Sequence, residues 1–192
     1  NLISFLNLGM VGFVTSAVAV RFVFPAVSLE GAAFWIIRSA PLTISDFLWA
    51  KFWSSLLPLL VLAELLIVLS NTLLKVTPFM MGLGIVTVCM MTFGMTAHGV
   101  GLGAAFPRFK HENVAQIPTG FGGIVYMLVT MLFIGTVIVL EAWPVYRIFA
   151  SKTFGSSISP HGWIGITLSF TAALLINLLA IYLPLSIGLK RL

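Results

Sequence analysis

Charged side chains are scarce in this sequence. Only 8% of its 192 residues are Asp, Glu, Lys or Arg, whereas about 25% is usual for a soluble domain. Ten basic and five acidic side chains cannot cover the surface of a 20.8 kDa globule. The composition therefore excludes a soluble enzyme, a disordered tail and a nucleic-acid-binding protein. The net charge of +5 needs no nucleic-acid partner, because cytoplasmic loops of membrane proteins are rich in Lys and Arg.

Cysteine and catalytic motifs are scarce as well. The single cysteine, Cys89, lies in an apolar run, which excludes a disulfide framework and a thiolate metal site. The sequence has no G-x-x-x-x-G-K-[ST] phosphate loop, no H-E-x-x-H and no G-x-S-x-G. Residues 99–103 read G-V-G-L-G, but no strand precedes them, as a dinucleotide site would require. These absences predict no catalytic residue, no metal site and no cofactor on this chain.

Long hydrophobic runs fill the sequence instead. Hydrophobic residues make up 60% of the chain, and the mean hydropathy is +1.14. A helix needs about 20 apolar residues to cross a bilayer, and five stretches qualify. They are uniformly apolar rather than alternating, which favours helices over barrel strands. We therefore predict an all-α polytopic membrane protein with one transmembrane domain, residues 1–192, and spans at residues 2–20, 52–69, 79–105, 120–140 and 163–189.

The basic residues predict the orientation of these spans. The loops on one side hold seven of them: Arg21, Arg38, Lys51, Arg108, Lys110, Lys190 and Arg191. The loops on the other side hold three: Lys75, Arg147 and Lys152. Because basic residues favour the cytoplasmic side, we expect a multi-pass protein of the bacterial inner membrane with a cytoplasmic C-terminus. Residues 141–161 then form the longest outer loop.

Residues 21–51, between the first two spans, are too polar to cross a membrane. From residue 28 to residue 40, apolar side chains recur at the spacing of one helix face, which predicts a short amphipathic cytoplasmic helix. Pro41 ends this helix, and Thr43 with Asp46 forms a capping box for the next one. The opposite face carries Glu30, Gly31, Phe34, Trp35 and Arg38. Its aromatic residues indicate either a lipid-surface anchor or a patch that binds a soluble partner.

Three of the polar residues inside the predicted spans are candidates for a translocation path. Glu64 is typical of a functional site because an ionisable group at depth is costly, although a packing role is the alternative. His98 has no second ligand nearby, so packing or hydrogen bonding is favoured over a metal site. Asn177 is predicted to donate a hydrogen bond between helices. Gly99 and Gly103 form a small-residue pair that favours close helix packing.

Two stretches of the sequence resemble permeases of ATP-binding-cassette exporters of the second exporter class. Residues 28–51 resemble the segment that carries the short amphipathic cytoplasmic coupling helix of these permeases. An acidic residue and a Gly begin a short helix there, a Pro ends it, and a Lys precedes the next span. In residues 99–123, a Gly-rich helix end leads to Phe-Pro, a Glu-Asn turn and a Gly pair. The resemblance implies six transmembrane helices in the family, of which this chain holds the last five and lacks the first.

The resemblance also implies a function and partners. The chain would be a permease subunit and not an enzyme. Its partners would be an ABC ATPase subunit carrying ATP and Mg²⁺, a second copy or a homologous permease, and membrane lipid. The ATPase would dock on Glu30, Gly31, Phe34, Trp35, Arg38 and Pro41. An integral-membrane enzyme, or a secondary carrier without an ATPase, is the alternative function, and the substrate is open.

Overall fold

The computed structural model describes residues 2–39, 41, 43–109, 113–154 and 159–192. Within these ranges it consists of helices and connecting turns, with no strand. The α-helices are α1 (Leu2–Phe22), α2 (Phe34–Ser39), α3 (Ile44–Leu73), α4 (Pro78–Ala105), α5 (Phe121–Phe154) and α6 (Pro160–Arg191). Short 3₁₀ segments cover Phe24–Ala26, Ser28–Ala33 and Val114–Gln116. All but α2 are long and apolar enough to cross a membrane, which confirms the predicted all-α polytopic fold.

Three of the long helices begin at a hydroxyl cap. The Thr43 hydroxyl accepts a hydrogen bond from the Asp46 backbone N–H, and the Asp46 carboxylate accepts one from the Thr43 N–H, each at 3.2 Å. The predicted capping box is therefore confirmed. Thr77 and Ser159 cap α4 and α6 in the same way, each followed by a proline in the first turn. Proline suits that position because its missing N–H would have no helical partner there.

Helix α4 lies at the centre of the bundle. Every residue from Gly94 to Ala105 is buried, whereas the other long helices expose rows of large apolar side chains such as Leu65, Leu132 and Leu168. So much exposed apolar surface is unfavourable in water, whereas contact with lipid satisfies it. The five long helices therefore form a bundle around the buried second half of α4, and each of the other four has an apolar face suited to contact with lipid.

The closest packing joins α4 to α6. The two helices run in the same direction, since Gly94 meets Ala180 near one end and Ala104 meets Gly188 near the other. A Cβ at Gly101 would overlap the Pro184 backbone, and a Cβ at Gly188 would lie 2.8 Å from the Gly101 carbonyl oxygen. These positions admit only glycine, and they let the two backbones touch.

Helix α5 is longer than the predicted span. Residues 141–154, expected as part of an outer loop at 141–161, continue the helix to Phe154, while residues 155–158 lie outside the described ranges. Apolar residues persist beyond Glu141, among them the buried Val145, and Pro144 costs the helix a hydrogen bond without ending it. The polar and aromatic composition that indicated a loop therefore belongs to the last turns of a helix.

We expect the α4–α6 contact to be sensitive to one methyl group. Gly101→Ala forces the two backbones apart and should lower the free energy of unfolding by about 1–3 kcal/mol, the usual cost of overpacking. Gly135→Ala is the matched control, because its Cβ would meet nothing within 4 Å. Thermal unfolding of the purified chain in detergent measures both. Equal stability of the two variants would contradict the proposed contact.

Candidate functional site

The predicted coupling segment is not one continuous helix. Ser28–Ala33 forms a 3₁₀ segment, and α2 follows from Phe34 to Ser39. The break lies at Gly31, whose φ of 52° is a conformation that other residues rarely adopt. The periodic apolar residues gave no sign of this break, because their spacing on either side of Gly31 still fits a helix. The segment therefore turns sharply where an amphipathic helix was expected.

An ion pair joins this turn to the beginning of α3. The Lys51 ammonium donates to the Glu30 carboxylate, and both side chains are about a quarter exposed. The same ammonium lies 5.5 Å from the centre of the Phe47 ring. Glu30, predicted as part of a docking face, is thus bound to its own chain.

The two predicted aromatic residues of the segment have different environments. Phe34 is 8% exposed; its ring stacks on Phe109 at 4.6 Å and meets Phe47 edge-on at 5.9 Å. Trp35 is 67% exposed and Ile36 is 54% exposed. Phe34 therefore holds the segment in place, while Trp35 and Ile36 form its surface. Arg38 lies in α2 and Pro41 is exposed after it.

A third contact reaches the connection between α4 and α5. The Arg108 backbone N–H donates to the Ser28 hydroxyl at 3.0 Å, and the Arg108 guanidinium donates to the Gln116 carbonyl at 3.1 Å. Residues 110–112 of this connection are outside the described ranges. We use the name cap for residues 23–39, 43–51 and 106–109. The cap brings together the connection after α1, the beginning of α3 and the connection after α4, the last of which is remote from the others in sequence.

Gly99 and Gly103 lie against the cap. A Cβ at Gly99 would come within 2.7 Å of the Val23 side chain, and one at Gly103 would overlap the Phe24 carbonyl oxygen. The small-residue pair thus faces the turn that follows α1. The role in close packing that was predicted for this glycine pair therefore includes packing against this turn.

The polar residues predicted for a translocation path are spread over three helices. One carboxylate oxygen of Glu64 is buried without a hydrogen-bond partner among the described residues. The His98 ring contacts the Gly94 carbonyl at 2.8 Å and packs on Phe133. Asn177 donates to the Ala173 carbonyl of its own helix rather than between helices. No described hydrogen bond joins any two of the three, and no described group of acidic, His or Cys residues could hold a metal ion.

The sequence reasoning missed two other polar contacts between helices. The Thr87 hydroxyl lies 2.9 Å from each carboxylate oxygen of Glu141, a residue that is 5% exposed. The Asn7 amide donates to Ser70 at 2.8 Å and to Asn71 at 3.1 Å. Glu141 was expected in a loop, and the apolar residues on both sides of it were the available signal that it lies within a helix.

Fold and site together define the class: a polytopic, all-helical membrane protein with a structured cap at one end of its bundle. Over residues 1–192 the chain matches the model of a family described as "Putative ATP-binding cassette". It therefore belongs to this ATP-binding cassette family. No curated protein and no solved structure gave a match.

The family match corrects the identity and function predicted from the sequence. The expected permease subunit of a second-class exporter, coupling ATP hydrolysis on a separate subunit to export, is overturned because the family is described as an ATP-binding cassette. The alternative without an ATPase, a membrane enzyme or a secondary carrier, is not supported either. The resemblance rested on loose turn and glycine patterns, which do not distinguish the components of such a system.

The same match corrects the predictions on enzyme activity and cofactors. The chain was expected not to be an enzyme, to hold no cofactor and to leave ATP and Mg²⁺ to a partner; the family description attaches ATP to the family of this chain itself. The earlier prediction followed from the absence of G-x-x-x-x-G-K-[ST]. That absence stands, so the connection with ATP rests on family membership and not on a phosphate loop.

We expect the two aromatic residues of the segment to differ in their effect on stability. Phe34→Ala removes a buried ring and should weaken the cap by about 3 kcal/mol. Trp35→Ala removes an exposed ring and should change stability by less than about 0.5 kcal/mol. Hydrogen exchange of peptides from residues 28–39 measures the difference. Faster exchange in both variants, or in neither, would show that Phe34 does not anchor the segment.

Proposed function

We propose that this chain is a membrane-embedded component of an ATP-binding cassette transport system, and that its cap binds another component of that system. The single observation that carries the proposal is the exposed pair Trp35 and Ile36 on a segment that is anchored through Glu30 and Phe34. Large aromatic side chains held on a firm base are typical of binding hot spots. Family membership supports the ATP-binding cassette part of the proposal.

The anchoring of the segment explains how binding there would act on the spans. Glu30 is paired with Lys51 in α3, and Phe34 stacks on Phe109 beyond the end of α4. A displacement of Trp35 by a bound partner would therefore be passed to both helices. Packed interfaces of this kind shift between discrete arrangements rather than deforming smoothly.

The proposal includes an orientation and a location. The end of the bundle that carries the cap also carries the larger number of basic residues, including Lys51, Arg108 and Lys190, which supports a cytoplasmic cap and C-terminus in a cell membrane. Further partners under this proposal are a second copy or a related membrane chain, and lipid. Glu64, His98 and Asn177 remain candidates for a polar path, and residues 1–192 for a single transmembrane domain.

We expect Trp35→Ala to reduce recovery of the other system components with this chain by about tenfold or more, as is usual for a hot-spot tryptophan. Trp53→Ala is the matched control, because Trp53 is 50% exposed but lies on α3 outside the segment. Both variants should insert and unfold like the unmodified chain. Quantitative co-purification from membranes measures the effect.

The competing outcome is a lipid anchor. In that case co-purification is unchanged in Trp35→Ala, and brominated lipid quenches the fluorescence of Trp35 in the assembled system. A variant retaining only this tryptophan makes the quenching unambiguous. Either observation contradicts a protein-binding role for the segment.

The family description has its own consequence for nucleotide binding. If ATP binds this chain, a photoreactive ATP analogue should label the purified chain, and excess ATP should prevent the labelling. Because the sequence has no phosphate loop, the labelled peptide should come from another structure, which mass spectrometry of the digested chain identifies. Absence of ATP-protected label on the chain, with label on another component, would contradict ATP binding here.

A further inference from the structure

A groove opens between the end of α1 and the first half of α3, near the cap. Its volume is about 430 Å³. Val18 and Phe22 form one wall, and Ser55, Leu59 and Leu62 belong to the other. This volume falls in the range of small-molecule sites, about 300–1,000 Å³.

The wall formed by α3 is polar at one end of the groove. Pro58 has no N–H, so the Ser54 carbonyl four residues earlier lacks its usual helical donor. The Ser55 hydroxyl lies beside it in sequence, and both serines line the groove. Leu59 and Leu62 lie farther along α3, away from the cap. The groove therefore has a polar mouth and an apolar interior.

A basic residue lies next to the groove-lining residues of α1. Arg21 is exposed in the last turn of α1, three residues after Val18 and one before Phe22, the two residues of this helix that line the groove. Among the described residues, no carboxylate lies within ion-pair distance of it. Trp49 and Trp53 are exposed on the first turns of α3, as is usual at the level of lipid headgroups. An anionic headgroup at this mouth would meet an available guanidinium.

We propose that this groove binds one phospholipid, with its phosphate on Arg21 and an acyl chain between Phe22, Leu59 and Leu62. The guanidinium supplies charge-assisted hydrogen bonds to the phosphate. The hydroxyl of Ser55 and the free carbonyl of Ser54 contact the glycerol and headgroup region. The lipid thus occupies a site between α1 and α3 that differs from the layer covering the rest of the bundle. Binding here does not depend on the proposed partner or on ATP.

Two lipids test the phosphate contact and the acyl-chain contact of this site separately. The full chain is purified in detergent and titrated with dioleoylphosphatidylglycerol or with dioleoylglycerol, which lacks the phosphate, and native mass spectrometry counts the bound molecules. Arg21→Gln should weaken binding of phosphatidylglycerol about tenfold, since it removes hydrogen bonds to a charged group, and leave dioleoylglycerol unchanged. Leu62→Trp fills the groove and should weaken both.

Matched controls come from α3 and the turn that follows it. Val61→Trp adds the same bulk at a position that is 60% exposed and outside the groove. Lys75→Gln removes a positive charge at the other end of α3. Both should bind lipid like the unmodified chain. Equal loss in Leu62→Trp and Val61→Trp, or equal retention in both, identifies an unspecific lipid layer only and overturns the proposal.

A second measurement does not depend on a folded variant. Phosphatidylglycerol with a photoreactive acyl chain is added to the unmodified chain, and the cross-linked peptides are identified. Cross-links concentrated on residues 54–62 and 18–23 support the site. Cross-links spread evenly over the exposed faces of α5 and α6 overturn it.

Discussion

The backbone contact between α4 and α6 is the constraint on which the rest of the bundle depends. Between apolar helices in lipid there is little hydrophobic gain from pairing, because the lipid tails are as apolar as leucine. Association must come from van der Waals contact, and that contact is greatest where backbones touch. Gly101 and Gly188 permit such contact. Because α6 packs directly against α4, the second half of α4 is buried, and the remaining long helices surround the pair.

Other glycines of α4 extend the same principle to its other neighbours. The Phe133 ring of α5 packs against Gly94, and the backbone of the turn after α1 packs against Gly103. The end of α1 is thereby held beside the end of α4. This position brings Ser28 within hydrogen-bond distance of the Arg108 backbone and Phe34 onto Phe109. The shape of the cap is therefore a consequence of helix packing deeper in the bundle.

Polar contacts contribute differently to stability inside the bundle and at the partly exposed cap. Inside the bundle an unpaired polar group is costly, and the Thr87–Glu141 and Asn7–Asn71 contacts satisfy such groups across helices. At the cap, Glu30 and Lys51 are partly exposed, and a solvated ion pair contributes little energy. The ion pair gives the cap its geometry, while the buried Phe34 ring contributes more to its stability. This division leaves Trp35 free to act as a surface residue on a firm base.

Much of the fold could be predicted from the sequence, whereas part of the identity of the chain could not. Five apolar runs and the Thr43–Asp46 capping pattern predicted long helices and one of their boundaries, because bilayer thickness and helix capping act locally. The same local patterns predicted a helix that continues through Gly31 and a span that ends at Leu140. They also assigned the chain to a permease, since short turn and glycine patterns occur in several components of such systems. The match to the ATP-binding cassette family rests on the pattern of the whole chain.

The amino-acid sequence by itself determined that the chain is helical and belongs in a membrane, because both follow from how many consecutive residues are apolar. Only the tertiary structure decided which residues share a site. Phe34 and Trp35 are neighbours in the chain, yet one is buried and the other exposed. The separation follows from the left-handed turn at Gly31 and from Phe109, a residue distant in sequence. Periodicity records which residues are apolar, but burial depends on which distant segment packs against them.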